Sequence, residues 1–461
     1  MDLEGLVLEA KNHAIENGVL KKSINQERMV DLIPFTLWPT QFPKKQFDFL
    51  TQLQTDFNLL IDGISQSKRL LLDSLQQVLN YDEFTRRLVE IYNEVDQSKQ
   101  SGITLGISRC DYMLSDEPDM VSPKLVEMNT ISVSYMGISP EVAKLHRVLQ
   151  VKHKDDSYRE HYTGEIAHVD SISMISDAMA LAWKEYGRPK AVFAMVVKNE
   201  ESNVFDQSRI ESSLALRHHI KMIRCTLSWL HDVATLDTDG RLIVNGTEVA
   251  VVYYRSAYHP DLFVSEKDWS AYSLVEKSRA IKCPSISYHL SGSKKIQQVL
   301  YNATVLENLI SDVTSVQRIR STFVGQYALD EGPEGDKMID MALNNPHNYV
   351  LKPSREGGGN NYFDDSLKAK LIEIQNSRER TAFILMQRIN PPASEAVIID
   401  TTGYHQLQIN NEIGIFGVFV KHGEKVLLNS SAGYLIRSKA TTQNEAGVST
   451  SGASIDSVAL T

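Results

Sequence analysis

Residues 352–361 read Lys-Pro-Ser-Arg-Glu-Gly-Gly-Gly-Asn-Asn, and an apolar pair, Val350 and Leu351, runs straight into them. Three consecutive glycines let backbone N–H groups converge on an anion, because no Cβ blocks the approach. Lys352 can set a point charge on a phosphate, and Glu356 can hold a divalent metal that bridges phosphate oxygens. A strand followed by Lys, Glu and a glycine run therefore reads as a flexible phosphate cover with its own metal ligand. The glycines alone fit a mobile hairpin tip, and the flanking Lys352, Arg355 and Glu356 bring the two readings level. Neither a GxxxxGK[ST] loop nor a GxGxxG fingerprint occurs in the chain.

Outward from that stretch, 347–363, 382–389 and 412–429 read as strands, which makes the C-terminal third α+β. From Ala191 strand and helix alternate over about a hundred residues, the pattern of a small parallel-sheet unit. It ends before the helical segment that opens at Ser291. The first hundred residues keep apolar positions at three- and four-residue spacing and read as helices. Segments 103–114 and 124–135 look like strands with polar tips, and helices follow near 140–150 and 173–187. The expected fold is mixed α/β (α+β) in three parts: 1–190, 191–293 and 294–461. The polar tail 441–454 reads as a loop.

With 461 residues the chain is too long for one simple core. A net charge of −10 argues against a general nucleic-acid or membrane-surface binder. The cysteines, Cys110, Cys225 and Cys283, are scattered and odd in number, so neither a disulfide framework nor a zinc site is indicated. No apolar run approaches the roughly 20 residues that cross a bilayer. The first twenty residues lack the basic start and apolar core of a secretion signal. A cytoplasmic location is the expectation, with a removed leader left open.

Two further patterns carry chemistry. Glu127 and Asn129 are two apart on a strand and would project together, offering oxygen ligands to one hard cation. Taken alone, an exposed strand end with a Ser/Thr turn explains them more simply. Arg437 and Lys439 follow the apolar run 432–436 and put two cations on one face of a strand end. Arg109, Arg255 and Lys294 are each, taken singly, ordinary surface charges. His218-His219 has no partner at metal spacing. No GxSxG elbow and no HExxH motif is present. Phosphate, magnesium and cations suited to carboxylates fit an ATP-dependent ligase better than an oxidoreductase or a hydrolase.

These motifs resemble those of the eukaryotic glutathione synthetase family, whose members are ATP-grasp ligases. The markers are RCDYM (109–113), EMNTISVSY (127–135), NVFDQ (203–207), VVYYRSAY (251–258), LSGSKKIQQ (290–298), KPSREGGGNN (352–361) and NEIGIFG (411–417), in family order over nearly the whole chain. The resemblance implies a homodimer with a permuted ATP-grasp core, a glycine-rich lid over about 325–408, and an inserted substrate-binding unit. It implies magnesium on Glu127, Asn129 and Glu356. ATP would contact Lys294, Lys352, Gly357, Gly358, Gly359, Asn360, Asn361, Met386, Gln387, Arg388, Ile389, Glu412 and Lys439. γ-Glutamylcysteine would contact Arg109, Ser132, Ser134, Asn203, Gln207, Arg255 and Tyr258. Arg437 would stand where the new peptide bond forms, and Val448 and Ser449 would close over the acceptor glycine.

Departures cluster in the acceptor loop, where the family's Glu-Gly-Gly-Val-Ala-Ala-Gly is Glu445-Ala-Gly-Val-Ser-Thr-Ser451. Ala446 removes freedom wherever φ was positive. Ser449 and Thr450 add hydroxyls. Gln387 replaces a usual carboxylate and Phe363 a usual tyrosine. Ordinary glutathione synthesis is the first expectation. The alternatives are another small amine as acceptor, or a non-catalytic role in binding nucleotide or thiol peptide.

Overall fold

The computed structural model describes residues 2–23, 29–115, 121–153, 158, 161–168, 170–302, 304–354, 360–448 and 452–461. Glu356, Gly357, Gly358, Gly359 and Ser449, all expected at the site, lie outside the described residues.

The centre is a seven-stranded sheet in the order 394–399, 35–36, 454–456, 425–440, 404–422, 103–115, 122–129. Its spine is the long hairpin Tyr404–His422 and Lys425–Ala440, paired from Ile409↔Ala440 to His422↔Lys425. The strand Ile103–Ser115 lies on the other side of Tyr404–His422, with Gly414 opposite Asp111. Ser122–Asn129 forms the edge. Ser394–Ile399 also pairs with Tyr404–His422, which closes one end of the sheet into a ring.

The helix Lys44–Gln66 covers this hairpin. Its Phe47, Leu50, Leu53, Phe57, Leu60 and Ile64 recur at three- and four-residue spacing and are buried. That stripe explains why the segment is helical and which face it turns inward. Truncating Phe57, fully buried at its centre, would cost about 3–5 kcal/mol.

The all-helical reading of the first hundred residues needs one correction. Leu20–Lys22, Val30–Leu32, Phe35–Thr36 and Thr40–Phe42 are short strands. Pro34, Pro39 and Pro43 forbid a continuous helix there. The last two strands instead find partners from the far end of the chain, at Ser454–Asp456 and Val458–Leu460.

A six-stranded sheet follows. Val192–Val196 lies parallel to Met222–Cys225 and to Thr247–Tyr254, which is in turn parallel to Ile281–Cys283. Val192–Val196 is buried at every position, the mark of a strand covered on both faces. Its apolar residues join two large cores shared with the central sheet and the N-terminal helices. The third unit is different. Gln326–Ala328, Phe383–Gln387, Tyr349–Pro353 and Tyr362–Phe363 form a four-stranded antiparallel sheet. Helices Pro333–Asn344 and Asp364–Ile374 pack on it around a separate core of Leu329, Ile339, Leu351, Leu367, Leu371 and Leu385.

Candidate active site

Strand register places six of the expected residues. Glu412 stands opposite Arg437 and Asn410 opposite Lys439 on the central hairpin. Asp111 stands opposite Glu127, and Arg109 opposite Asn129. Because side chains two apart share a strand face, four neighbouring strands turn their polar residues to one side.

The four-stranded unit faces that side across a cavity of about 250 Å3. Glu127, Lys294, Lys352, Asn361, Met386, Gln387, Arg388, Ile389, Glu412, Arg437 and Lys439 all line it, with Glu445, Ala446 and Gly447 at its rim. Lys294 Nζ lies 3.5 Å from Glu127 Oε2. Lys352 Nζ donates to the Val126 carbonyl at 3.1 Å, which carries the glycine-rich strand's cation onto the central sheet. The Lys439 ammonium donates to the Asn444 carbonyl.

The electrostatics follow from this crowding. Burial pushes the Glu127 carboxyl up, but Lys294, Lys352, Arg437 and Arg109 outweigh it and hold it down to about 2. Burial pushes the Lys352 ammonium down to about 8, against the pull of Glu127. Lys439 is also lowered by burial, and Glu412 is raised by it. The cavity gathers fixed cations near the ionised Glu127 carboxylate, a setting that stabilises incoming negative charge.

Asp111 is the residue the sequence reading did not single out. It is fully buried. Its Oδ1 accepts from Arg109 Nε at 2.6 Å, and its Oδ2 accepts from Arg109 NH2 at 2.8 Å, Asn129 Nδ2 at 2.9 Å and Arg437 NH2 at 2.8 Å. Arg437 NH2 also donates to Glu412. The signal available in sequence was Asp111 two positions after Arg109, on the same strand face.

The residues expected to contact γ-glutamylcysteine, Arg109 apart, form a second cluster at the carboxyl ends of the parallel strands, where α/β sheets take their ligands. Arg255, just beyond Thr247–Tyr254, donates from NH2 to Ser134 Oγ at 2.8 Å and approaches Asp206 Oδ2 at 3.4 Å. It also donates to the Val133 carbonyl. Asp206 accepts from the Tyr135 and Gly137 backbone N–H groups at 2.9 and 2.7 Å, holding the 132–137 turn, in which Ser132 and Tyr135 have positive φ. Ser132 Oγ donates to the Tyr254 carbonyl at 3.2 Å. Asn203 sits at the N-cap of helix Val204–His218 but makes no capping bond. Its Oδ1, both amide atoms of Gln207 and Arg255 Nε are buried with no hydrogen-bond partner among the described residues. Buried polar groups left open in this way suit a polar ligand. Tyr258 is half-buried beside them. Asn360 is described and half-buried, whereas Val448 and Ala446 are buried and pack into a main core. Ala446 lies outside the positive-φ region, so the methyl group that replaces hydrogen there meets no backbone strain.

Glu127 and Asn129 fit magnesium by their chemistry: one carboxylate held ionised, and one amide whose nitrogen is engaged by Asp111, leaving its oxygen for a hard cation.

A family model described as eukaryotic glutathione synthase, ATP binding domain, matches residues 1–460. The glutathione synthetase of Xenopus laevis is 38% identical over 98% of this chain and 96% of its own length. The Homo sapiens glutathione synthetase is 37% identical with the same coverage. The chloroplastic glutathione synthetase of Solanum lycopersicum is 38% identical over 96% of this chain and 82% of its own. The apo structure of a glutathione synthetase-like effector from Globodera pallida has the same fold, with a TM-score of 0.79 over 100% of this chain and 97% of that chain at 24% identity. The chain belongs to the eukaryotic glutathione synthetase family.

Proposed function

We infer that the chain is an ATP-dependent ligase that joins γ-glutamylcysteine to glycine and so makes glutathione. The observation that carries this reading is the cavity between the four-stranded unit and the central hairpin, where Lys294, Lys352 and Arg437 act on Glu127 and Lys439 lines the same wall. It suits a triphosphate on one side and a carboxylate on the other. No observation favours another amine acceptor or a non-enzymatic role.

The proposed chemistry proceeds in two steps. The cysteinyl carboxylate attacks the γ-phosphorus of ATP and expels ADP, and the amine of glycine then attacks the acyl carbon and loses a proton as inorganic phosphate leaves. Lys352 and Lys294 offset the charge that builds on the transferring phosphoryl group. Arg437 stabilises the oxyanion of the tetrahedral intermediate. Asn203, Gln207, Ser134 and Arg255 hold the γ-glutamyl end, and their unpartnered atoms support that role. Magnesium on Glu127, Asn129 and Glu356 would neutralise phosphate oxygens. The Met386–Ile389 segment is proposed as the hinge against which the nucleotide base rests. Gly357, Gly358 and Gly359 are proposed to cover the phosphates, and Ser449 with Val448 to flank glycine. Closure of the lid keeps water from the acyl phosphate.

The division into 1–190, 191–293 and 294–461 remains part of the proposal. The separate apolar core of the four-stranded unit supports a lid that moves as a body. A homodimer is proposed on the family resemblance. Among the described residues no helix is long and apolar enough to cross a membrane. All three cysteines are free and buried, which supports a cytoplasmic setting.

The test is product mass and phosphate release with ATP, magnesium, γ-glutamylcysteine and glycine, each omitted in turn. Glycine-dependent phosphate release with a glutathione mass is expected. Release that ignores glycine would refute the reading.

A further inference from the structure

We propose that Asp111 is a positioning residue that locks Arg109 and Arg437 into one unit, so that donor binding and acyl transfer share a single buried carboxylate. The inference rests on the ligase reading above. Asp111 does not line the cavity, so it acts through the two arginines.

Four donor contacts converge on its two oxygens. Arg109 takes one edge with Nε at 2.6 Å and NH2 at 2.8 Å. Arg437 comes from two strands away to the same Oδ2 at 2.8 Å. Asn129 adds a third donor to that oxygen at 2.9 Å. A guanidinium edge matched to both carboxylate oxygens is a fixed geometry. Each arginine is therefore oriented by an acceptor that reaches no ligand itself.

A second observation on a different strand points the same way. Gly414 is paired directly opposite Asp111. A Cβ there would fall 2.4 Å from Asp111 Oδ1 and 2.6 Å from Arg109 Cδ, closer than non-bonded atoms tolerate. The Arg109–Asp111 pair lies across the strand in the space that glycine leaves. The glycine thus has a role in the site although its φ is not positive.

The amide of an Asp111→Asn variant has one acceptor atom where the carboxylate has two. Its –NH2 would face an arginine N–H, so either Arg109 Nε or the group of donors on Oδ2 loses its acceptor. Gly414→Ala disturbs the same pair without changing its charge. Asp62→Asn is the control. Asp62 is a buried carboxylate that accepts from Tyr288 and Lys421, away from the cavity.

The experiment measures kcat/KM for γ-glutamylcysteine, direct binding of a non-hydrolysable ATP analogue, and the melting temperature. In Asp111→Asn, kcat/KM for the peptide should fall at least 100-fold and nucleotide affinity should stay within threefold. Gly414→Ala should lower kcat/KM for the peptide at least tenfold and likewise leave nucleotide affinity within threefold. Asp62→Asn should leave peptide kinetics unchanged. Unchanged peptide kinetics in Asp111→Asn would overturn the proposal. Equal losses for peptide and nucleotide, or failure of both variants to fold, would also overturn it, since each marks a purely structural role. Absence of glutathione formation by the parent protein would instead refute the ligase reading.

Discussion

The backbone N–H of Asn361 donates to the Glu445 carboxylate at 3.1 Å. The last residue of the glycine-rich stretch is thereby tied to the loop that runs to Val448. A second tie runs beside it, from Arg388 NH2 to Asn444 Oδ1 at 3.1 Å. The segments proposed to cover the nucleotide and to close over the acceptor are thus joined by two hydrogen bonds, and under that proposal closing one biases the other.

Glu445→Ala should loosen that joint. A hydrogen bond to a charged group is worth about 1.5–3 kcal/mol, and partial exposure puts this one at the low end. Roughly a tenfold fall in kcat/KM for glycine is expected. The ratio of phosphate released to glutathione formed should rise above one, because an imperfectly closed site admits water. A paired phosphate and thiol-product assay reads both.

Lys352 makes activity and stability diverge in alkali. Its native value is about 8 against an ordinary 10.5, so between them the unfolded chain binds more protons than the folded one. This group therefore favours folding increasingly as pH rises through that window. The same rise removes the charge that stabilises the phosphoryl group. kcat/KM for ATP should fall above about pH 8, while the contribution of this group to stability moves the other way. Lys352→Met should abolish the alkaline limb and lower kcat by about 100-fold or more.

Arg255→Met should act on the peptide and spare the nucleotide. The side chain is 2% exposed and its Asp206 partner 0%. Removing one member of a buried pair costs about 3–5 kcal/mol because the other charge is left behind. The KM for γ-glutamylcysteine should rise at least tenfold and the melting temperature should fall, with the KM for ATP little changed.

The lid should soften alone. Leu371 is fully buried in the small separate core, and Leu371→Ala should cost about 2–5 kcal/mol within that unit. Hydrogen exchange should quicken in Tyr349–Pro353 and Phe383–Gln387 and stay unchanged in Val192–Val196.

Much of this was legible in the chain because the signals were local. Val192–Val196 announces a doubly covered strand, and the stripe from Phe47 to Ile64 announces an amphipathic helix. Arg437 and Lys439 share a face by period-two alternation alone. Long-range partnership was not legible. Nothing near Phe35 says that it pairs with Ile455, and nothing near Asp111 says that Arg437 will reach it. Such contacts depend on register between strands hundreds of residues apart. The role of Gly414 was hidden for the same reason, since the atoms it makes room for belong to another strand. The second cluster was visible only through family likeness: Asn203, Gln207 and Arg255 carry no spacing rule and meet because a parallel sheet gathers strand ends.

The decisive measurement is the fate of carboxylate oxygen. γ-Glutamylcysteine labelled with 18O in its cysteinyl carboxylate is turned over with ATP, magnesium and glycine, and the released phosphate is analysed by mass. Ligation through an acyl phosphate predicts one labelled oxygen in each phosphate, matched to glutathione formed. Unlabelled phosphate would contradict it.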